Sequence, residues 1–518
     1  MDLHRASLFV AVFLMGLENE NKFRGRKGGF NMSTYDVAIV GAGVIGTTIA
    51  RELMHYDLKV VLLEKGDDVA VGTTKANSAI VHAGYDAPSH TLKGQLNVLG
   101  NAMYDALSEE LDVPFKRIGS LVIARDASET ATLEQLLENG KRLHIPGLEI
   151  IDGARAHEME PHLSGKAVAA LYAPSAGITE PWEVAVAACE NAMDNGAELK
   201  LGFEVLTIDQ TAESFTLNAA EESVKAKWVI NAAGVYADQI YRMVAGERET
   251  FKITPRRGQY YLLDKEAGGF VNHVVFPCPG PMGKGVLIAP TAHGNVIIGP
   301  DSQNLSESDK EATETTSDRL AYVKASAASL MDDIPFHLNI TTFAGLRGEP
   351  EGDDFIIEAS AEVERFINVA GIKSPGLSAA PAIAVRVAET IKALMPSIKT
   401  NPAFNPIRRP RIRLAEMTAE ERDAQIEKDP RFGHMICRCE MITEGEIVDA
   451  IHRNAGGRTL NGIKRRARPG AGRCQGGFCG PRVMEILARE LSCDVTDIRQ
   501  EGKESVILTG KMGKGGRS

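Results

Sequence analysis

Residues 35–46, with the sequence YDVAIVGAGVIG, decide the fold because they join a short apolar run to a glycine-rich turn. The apolar run predicts a buried strand, and residues 47–55 after the turn predict a helix. A second apolar run at residues 59–63, KVVLL, predicts another buried strand that ends at Glu64. Strand, helix and strand within about 30 residues form a βαβ unit, so we expect an α/β fold with a Rossmann-like domain.

Each glycine of the turn has its own role in binding an adenine dinucleotide. Gly41 permits the tight turn, Gly43 lets the backbone approach a pyrophosphate, and Gly46 lets helix and strand pack closely. The N-terminus of the following helix offers unpaired N–H groups to the phosphates. Glu64 follows Gly46 by 18 residues, where a carboxylate accepts hydrogen bonds from a ribose diol. The alternative is a glycine-rich turn without a ligand, but here strand, helix and acid are all in register for a dinucleotide.

Two later turns favour FAD over NAD as that dinucleotide. Residues 227–234 (KWVINAAG) and 365–376 (RFINVAGIKSPG) each join an apolar strand to a turn of small residues. Strand-to-glycine turns so far apart in the chain indicate one large cofactor that is contacted along its whole length. The segments between them alternate short strands with Gly and Pro, which predicts an inserted, mostly antiparallel substrate domain.

These patterns predict a large two-part oxidoreductase domain, a small C-terminal domain and connecting segments. The expected divisions are an N-terminal extension at 1–32, the oxidoreductase domain at 33–400 (FAD-binding segments 33–95, 150–250 and 341–400, substrate domain 96–149 and 251–340), a linker at 401–433, a helical cluster domain at 434–492 and a tail at 493–518.

The overall charge and the apolar segments limit where the protein acts. A net charge of -11 and a pI near 5.7 exclude a general nucleic-acid binder, which needs a basic surface. The apolar run at residues 8–17 is too short to span a bilayer, and no small-residue cleavage site follows it. A second methionine, Met32, stands immediately before the first strand, so the extension is expected to be disordered and either dispensable or the product of a mis-assigned start. We expect a cytoplasmic protein.

Four of the seven cysteines are clustered, in the pattern Cys437-x-Cys439 and Cys474-x4-Cys479, and this pattern predicts a metal centre. Four thiolates satisfy a 2Fe-2S cluster, and the helix predicted after Cys479 would direct its positive end toward that anionic group. Structural zinc also takes four cysteines, but its ligand pairs are typically spaced by two to four residues. The Cys437-x-Cys439 spacing departs from that pattern and favours iron.

The motifs resemble those of known families over nearly the whole chain after Met32. Residues 35–400 resemble the glycerol-3-phosphate dehydrogenase and oxidase branch of the D-amino-acid-oxidase-like flavoproteins. Residues 434–490 resemble the bacterioferritin-associated-ferredoxin-like 2Fe-2S domain, and the combination is similar to the catalytic subunits of anaerobic glycerol-3-phosphate dehydrogenases. With the glycine motif, the resemblance implies FAD contacts at Gly41, Gly43, Ile45, Gly46, Glu64, Lys65, Thr73, Thr74, Asn77, Ser78, Val205, Ala233, Gly234, Gly371, Ser374, Gly376 and Leu377.

The same resemblance implies a set of catalytic and substrate-binding residues. Residues 72–86 (GTTKANSAIVHAGYD) resemble the family stretch whose histidine lies beside the substrate, which implies that His82 accepts the hydroxyl proton. Residues 281–290 (PMGKGVLIAP) resemble a glycine-flanked lysine motif and place Lys284 by the pocket. The turn GLRG resembles one whose arginine, here Arg347, binds the anionic end of the substrate. Ser374 is implied as a further substrate contact.

We therefore expect oxidation of sn-glycerol 3-phosphate to dihydroxyacetone phosphate, with hydride transfer to the flavin and electrons leaving through the 2Fe-2S cluster. A guanidinium group binds phosphate or carboxylate equally well, so a 2-hydroxy-acid or imino-acid dehydrogenase is an alternative. The stretch Lys75–Ser78 resembles oxidase and 2-hydroxy-acid members more than the serine-rich stretch of aerobic dehydrogenases. An electron-transfer or redox-sensing module without catalysis is a second alternative. A partner flavoprotein or quinone-linked subunit is implied as the electron acceptor, with at most peripheral membrane association through that partner.

Overall fold

The computed structural model describes residues 34–246, 248, 250–280 and 285–510. The expected N-terminal extension and Lys284 lie outside these residues. The helices are α1 (Val44–Leu53), α2 (Leu92–Leu111), α3 (Ala127–Arg142), α4 (Gly153–Met159), α5 (Pro181–Asp194), α6 (Ala237–Ala245), α7 (Ser317–Ala328), α8 (Gly376–Leu394), α9 (Ala419–Lys428), α10 (Glu444–His452), α11 (Leu460–Ala467) and α12 (Gly480–Glu490).

The strands follow the same chain order. They are β1 (Thr34–Val40), β2 (Val60–Glu64), β3 (Ile80–Val81), β4 (Phe115–Arg117), β5 (Ser120–Ala124), β6 (Glu149–Asp152), β7 (Ala169–Ala173), β8 (Gly177–Thr179), β9 (Glu198–Leu201), β10 (Thr207–Gln210), β11 (Phe215–Asn218), β12 (Ser223–Asn231), β13 (Ile253–Leu263), β14 (Val274–Pro277), β15 (Leu287–Pro290), β16 (Val296–Gly299), β17 (Gln303–Asn304), β18 (Asn339–Pro350), β19 (Ile356–Ala359), β20 (Phe366–Ala370), β21 (Met435–Cys437) and β22 (Ile442–Thr443).

The first sheet contains the predicted βαβ unit. Its strand order is β10-β11-β12-β1-β2-β9, with β20 beside β12 and β19 beside β20. Strand β1 runs parallel to β2, and β2 runs parallel to β9. Val37 and Ile39 of β1 belong to the apolar core on one side of the sheet, whereas Ala38 and Val40 belong to the core on the other. Because both faces are buried, residues Val37–Val40 of this strand are all apolar and do not alternate with polar residues.

The second sheet has the order β17-β13-β16-β15-β14-β5-β7-β6, with β18 also paired to β13. It is antiparallel except where β14 pairs with β5. Strands β6 and β7 lie almost entirely within residues 150–250, which were expected to bind FAD, but they belong to this second sheet. Strand β18 likewise belongs to it, although residues 341–400 were expected to bind FAD. The expected boundaries differ from these sheets because pairing between distant strands leaves no local sequence pattern.

The C-terminal helices α10, α11 and α12 enclose a small core that includes Ile447, Ile463 and Leu487, next to the hairpin of β21 and β22. The segment expected to be a linker, 401–433, includes helix α9. Earlier in the same segment, Arg408 is buried against Glu190 of α5 at 2.7 Å. No helix among the described residues is long and apolar enough to cross a bilayer.

Buried ion pairs hold the C-terminal domain against the first sheet. Asp68, which follows β2, is within 2.8 Å of Arg465 and 2.6 Å of Arg466. Glu190 bonds Arg453 in addition to Arg408. Burial opposes ionisation of Asp68, but the two guanidinium groups lower the pKa of its carboxyl below the usual value. These charges satisfy one another in the interface, so the two domains have a defined relative position.

Candidate active site and cysteine centre

The glycine turn after β1 has a geometry that only glycine allows at two positions. Gly41 has φ +104°, and a Cβ there would lie 2.6 Å from the carbonyl oxygen of Ala232. A Cβ on Gly46 would lie 1.9 Å from the carbonyl oxygen of Gly41. The Gly41 N–H donates to Leu63 at 2.8 Å, which fixes the turn over the end of β2. The turn therefore leaves the N-terminus of α1 accessible from the space above the sheet.

Glu64 stands at the end of β2 as predicted, but its carboxylate also organises the turn. It accepts hydrogen bonds from the N–H of Ala42 at 2.8 Å and the N–H of Gly66 at 2.8 Å. Burial raises the pKa of Glu64, while these two N–H donors oppose the rise. Each oxygen keeps a further lone pair, so the group can still accept from a ribose hydroxyl.

A cavity of about 1590 Å³ extends from this turn to the second sheet. Of the residues expected to contact FAD, all line it except Gly46 and Gly371. Gly46 acts in packing instead, and Gly371 (φ +63°) makes the turn before α8, where a Cβ would lie 2.9 Å from Pro350. The volume exceeds that of a pocket for one small ligand, and it can hold a dinucleotide together with a substrate.

The loop at residues 73–78 forms one side of this cavity through hydrogen bonds. Thr74 accepts from the N–H of Val44 at 3.0 Å and so caps α1, and Thr73 donates to the carbonyl of Leu346 at 2.6 Å. Asn77 donates to the carbonyl of Thr74 at 2.9 Å. The loop is thus tied both to the dinucleotide turn and to β18.

His82 and Ser374 are brought together from positions almost 300 residues apart in the chain. The Nε2 atom of His82 lies 3.4 Å from the Ser374 hydroxyl. The backbone of His82 is fixed by Ser378, which accepts from its N–H at 2.7 Å, and by Asn101, which donates to its carbonyl at 3.0 Å. Ser374 directly precedes Pro375 and the N-terminus of α8, whose dipole favours negative charge at this end of the cavity.

The cavity wall formed by β13 and β18 places two arginines side by side. The register pairs Arg256 with Arg347 across the two strands, and both residues line the cavity. Arg347 donates to the carbonyl of Asp301 at 3.0 Å, and a Cβ on Gly258 would lie 2.8 Å from its Nη2. Glycine at position 258 therefore leaves room for the guanidinium group.

Arg256 was not among the residues expected from the sequence. Its Nε donates to Asn304 at 2.8 Å and its Nη1 to Glu349 at 3.2 Å. The sequence did contain an indication of its position. Alternate residues of a strand share a face, so in the strand at 254–263, TPRRGQYYLL, Arg256 lies on the same face as Gly258 and Tyr260. Without the register to β18, nothing indicated which arginine of the pair at 256 and 257 faces the cavity.

Tyr260 closes the other end of this wall. Its ring stacks on Phe343 at 4.7 Å, and its hydroxyl lies 3.3 Å from that of Ser78. Burial raises the pKa of Tyr260, only partly offset by Arg347, so the hydroxyl stays protonated and can donate. Lys65 pairs with Glu311 at 3.1 Å at the dinucleotide end.

The four clustered cysteines form two pairs of thiols. The Sγ atoms of Cys439 and Cys474 are 3.9 Å apart, and the thiol of Cys479 interacts with that of Cys437. That interaction, with the N–H groups of Gly470 and Glu440, lowers the pKa of Cys437 to about 6. The same interaction raises the pKa of Cys479.

This paired arrangement fits a binuclear cluster better than a single ion. A 2Fe-2S cluster takes two thiolates on each iron, whereas structural zinc requires four donors around one point. Backbone N–H groups of Phe478 and Gly476 lower the pKa of Cys474, which favours the thiolate form that a metal centre requires.

Comparisons with known proteins agree with both sites. Residues 36–390 match the family model described as FAD dependent oxidoreductase, and residues 435–489 match the BFD-like [2Fe-2S] binding domain. The chain is 51% identical over 476 residues to a glycerol 3-phosphate dehydrogenase of Caloramator mitchellensis, covering 92% of this chain and 98% of that protein. It is 32% identical to a glycerol 3-phosphate oxidase of Mycoplasma genitalium, covering 72% of this chain and 99% of the oxidase.

A solved structure shows the same fold. Dithionite-reduced L-alpha-glycerophosphate oxidase from Mycoplasma pneumoniae with FAD bound superimposes with a TM-score of 0.68 at 31% identity, covering 73% of this chain and 98% of the oxidase. The predicted α/β fold, the FAD domain and the 2Fe-2S domain are thereby confirmed. The chain belongs to the FAD dependent oxidoreductase family and carries a C-terminal BFD-like 2Fe-2S domain.

Proposed function

We propose that this enzyme oxidises sn-glycerol 3-phosphate to dihydroxyacetone phosphate and passes the electrons to its 2Fe-2S cluster. The observation that carries the proposal is the pairing of Arg256 with Arg347 in the same cavity as His82 and Ser374. Two guanidinium groups suit a phosphate dianion, and a histidine suits removal of a hydroxyl proton. The similarity to a glycerol 3-phosphate dehydrogenase over 98% of that protein's length supports the same substrate here.

The reaction separates a hydride and a proton from one secondary alcohol. FAD, when bound, supplies the acceptor for the hydride. In our proposal His82 takes the hydroxyl proton, and the Ser374 hydroxyl, 3.4 Å from its Nε2, orients the ring and the substrate oxygen. Arg347 and Arg256 hold the phosphate, which fixes the carbon to be oxidised relative to His82. Lys284 is proposed as a further contact of the anionic substrate.

The cofactor roles of individual residues belong to the same proposal. Gly41, Gly43 and the start of α1 would hold the pyrophosphate, and Glu64 would hold the ribose. Cys437, Cys439, Cys474 and Cys479 would ligate the cluster, which relays electrons singly. A separate acceptor protein or subunit would then take them up. None of the seven cysteines, all of which lie in the described part of the chain, forms a disulfide, which supports a cytoplasmic location, where thiols stay reduced.

Anaerobic flavin reduction by a panel of substrates tests this function. Glycerol 3-phosphate should bleach the flavin absorbance and then the cluster absorbance in the same cuvette, with about two irons and one FAD per chain. L-2-Hydroxyglutarate and hydroxyproline, each with a carboxylate in place of the phosphate, should bleach the flavin far more slowly. Faster bleaching by either compound would replace the proposed substrate, and no bleaching by any of them would favour a non-catalytic electron-transfer module.

A further inference from the structure

Large apolar side chains are exposed around the cysteine centre. Phe478, between Cys474 and Cys479, has 87% of its surface exposed, and Met441, two residues after Cys439, has 51%. Cys439 itself is exposed, whereas Cys437 and Cys479 are buried. One pair of sulfurs therefore includes the exposed Cys439, and the other pair lies inside the domain.

The residues around this exposed pair have the composition of a protein interface. We call the group Arg438, Met441, Arg473, Phe478 and Arg482 the cluster rim; all five are exposed. Aromatic residues, Met and Arg are enriched in interfaces, while Lys, Glu and Asp are depleted. A phenylalanine side chain exposed to this degree contributes no hydrophobic stabilisation to the fold, because its apolar area stays in water.

The cluster rim is locally basic in a chain whose net charge is -11. Arg438 makes no ion pair with any described residue, and Arg482 approaches Glu485 only to 3.4 Å on the surface. Arg473 lies 3.1 Å from Asp264 and 3.4 Å from Glu266, and its side chain remains mostly exposed. The nearest acid to Cys439, Glu440, is buried and neutralised by Lys265 and Arg468, both at 2.9 Å. This surface therefore presents exposed apolar area beside three exposed arginines, of which Arg473 and Arg482 are only partly offset by surface acids.

We propose that the cluster rim is the docking surface for a one-electron carrier protein whose redox centre is surrounded by carboxylates. The proposal rests on the proposed function, in which electrons leave through the cluster. Oxidation of one alcohol to a ketone releases two electrons and two protons, so two carrier molecules are each reduced by one electron and the protons pass to solvent. Electron-transfer complexes are held by small interfaces, so a docking surface of a few exposed side chains around the cluster is sufficient for one.

Two haem proteins of opposite surface charge serve as probes: cytochrome b5, which is acidic, and cytochrome c, which is basic. Dissociation constants are measured by calorimetry with the full-length holoenzyme and the cytochromes all reduced by dithionite, so that no electron transfer adds heat and binding is independent of the alcohol substrate. Cytochrome b5 should bind at least about tenfold more tightly than cytochrome c at low ionic strength, and the difference should shrink as salt is added.

Substitutions in the cluster rim should weaken this binding. Arg482→Glu should weaken cytochrome b5 binding about tenfold, and Phe478→Ala about fivefold or more. Arg142→Glu is the matched control, since Arg142 is 66% exposed against 71% for Arg482 and each contacts a glutamate of its own helix. Leu99→Ala, at another exposed apolar residue, controls for Phe478. Iron content and flavin bleaching by glycerol 3-phosphate should be unchanged in all four variants.

Equal affinity of the wild-type enzyme for both cytochromes, or unchanged cytochrome b5 affinity in Arg482→Glu and Phe478→Ala, would overturn the proposal. Conversion of a dimer into monomers by Phe478→Ala, seen by sedimentation, would assign the surface to a second copy of this chain instead. Failure of glycerol 3-phosphate to bleach the flavin would refute the proposed function and leave the binding measurements with dithionite-reduced enzyme as a test of the surface alone.

Discussion

Arg256 and Arg347 lie directly opposite each other on the antiparallel strands β13 and β18, on the face that lines the cavity. Like charges directly opposite one another on a sheet destabilise it. Glu349 offsets Arg256 at 3.2 Å, but no carboxylate among the described residues forms an ion pair with Arg347. Such an arrangement is retained most readily where an anion binds, and a phosphate dianion would offset both guanidinium charges.

Replacing Arg256 by Met should therefore raise the KM for glycerol 3-phosphate about 10- to 100-fold, the range expected for one hydrogen bond to a charged group. The kcat should fall less, because the reacting carbon is distant from the phosphate. Glycerol, which lacks the phosphate, should be oxidised no more slowly by the variant than by the wild type. Lys252→Met, at an exposed cation near the start of β13, is the control and should leave the KM unchanged. An unchanged KM in Arg256→Met would remove this residue from the substrate site.

His82→Asn tests the proposed proton acceptor. General base catalysis contributes about 10²- to 10⁴-fold, so the rate of flavin reduction by glycerol 3-phosphate should fall by that factor. Bound FAD should stay stoichiometric, because the backbone of residue 82, and not its ring, bonds Ser378 and Asn101. His90→Asn, at an exposed histidine of the following loop, is the matched control. Stopped-flow absorbance of the flavin measures both, and equal rates would contradict the assignment.

The sequence predicted the first sheet well because its signals are local. The run before Gly41, the helix after it and Glu64 at the end of β2 lie within about 30 residues of one another, and each element is as expected. Domain boundaries were less predictable. Strand β18 pairs with β13 along its length, although some 80 residues separate the two strands, and no local pattern encodes that register.

The candidate site also contains some residues that could be predicted from the sequence and some that could not. The glycine turn could be found from the residues alone, and His82, Arg347 and Ser374 from resemblance. Arg256 could not be found by either route, because its position depends on which face of β13 meets the cavity. The position of the cluster domain against the first sheet could not be predicted either. Asp68 and Arg466 are nearly 400 residues apart, and no sequence pattern near either residue indicates a buried partner.

Asp68→Asn should destabilise the contact between the two domains. Removing one partner of a buried ion pair costs about 3–5 kcal/mol, because Arg465 and Arg466 would keep buried, poorly compensated charges. The folded-state pKa of Asp68 lies below its unfolded value of about 3.9, so its stabilisation is complete above that value and is lost only as the pH falls through the folded pKa. The deficit in the urea midpoint should therefore be the same at pH 6 and pH 8.

The control for this prediction is Asp36→Asn, which removes a surface pair with Lys227 at 2.7 Å. Exposed pairs contribute about 0–1 kcal/mol, so the urea midpoint should change little. Stopped-flow reduction adds a second measurement for Asp68→Asn. In that variant, loosening the domain contact should slow reduction of the cluster relative to reduction of the flavin. A midpoint equal to that of the wild type in Asp68→Asn would show that the contact does not depend on this charge.

Cys439→Ser separates the two halves of the electron route. Serine is a poor substitute for a thiolate on iron, so the variant should lose most of the two irons per chain that we expect in the wild type. Flavin bleaching by glycerol 3-phosphate should persist, because Cys439 does not line the cavity. Reduction of an acceptor protein should fall strongly. Cys493→Ser is the matched control, since Cys493 is also exposed but lies outside the two thiol pairs. Full iron content in Cys439→Ser, or equal iron loss in both variants, would contradict the ligand set, and retained acceptor reduction without iron would show that electrons leave directly from the flavin.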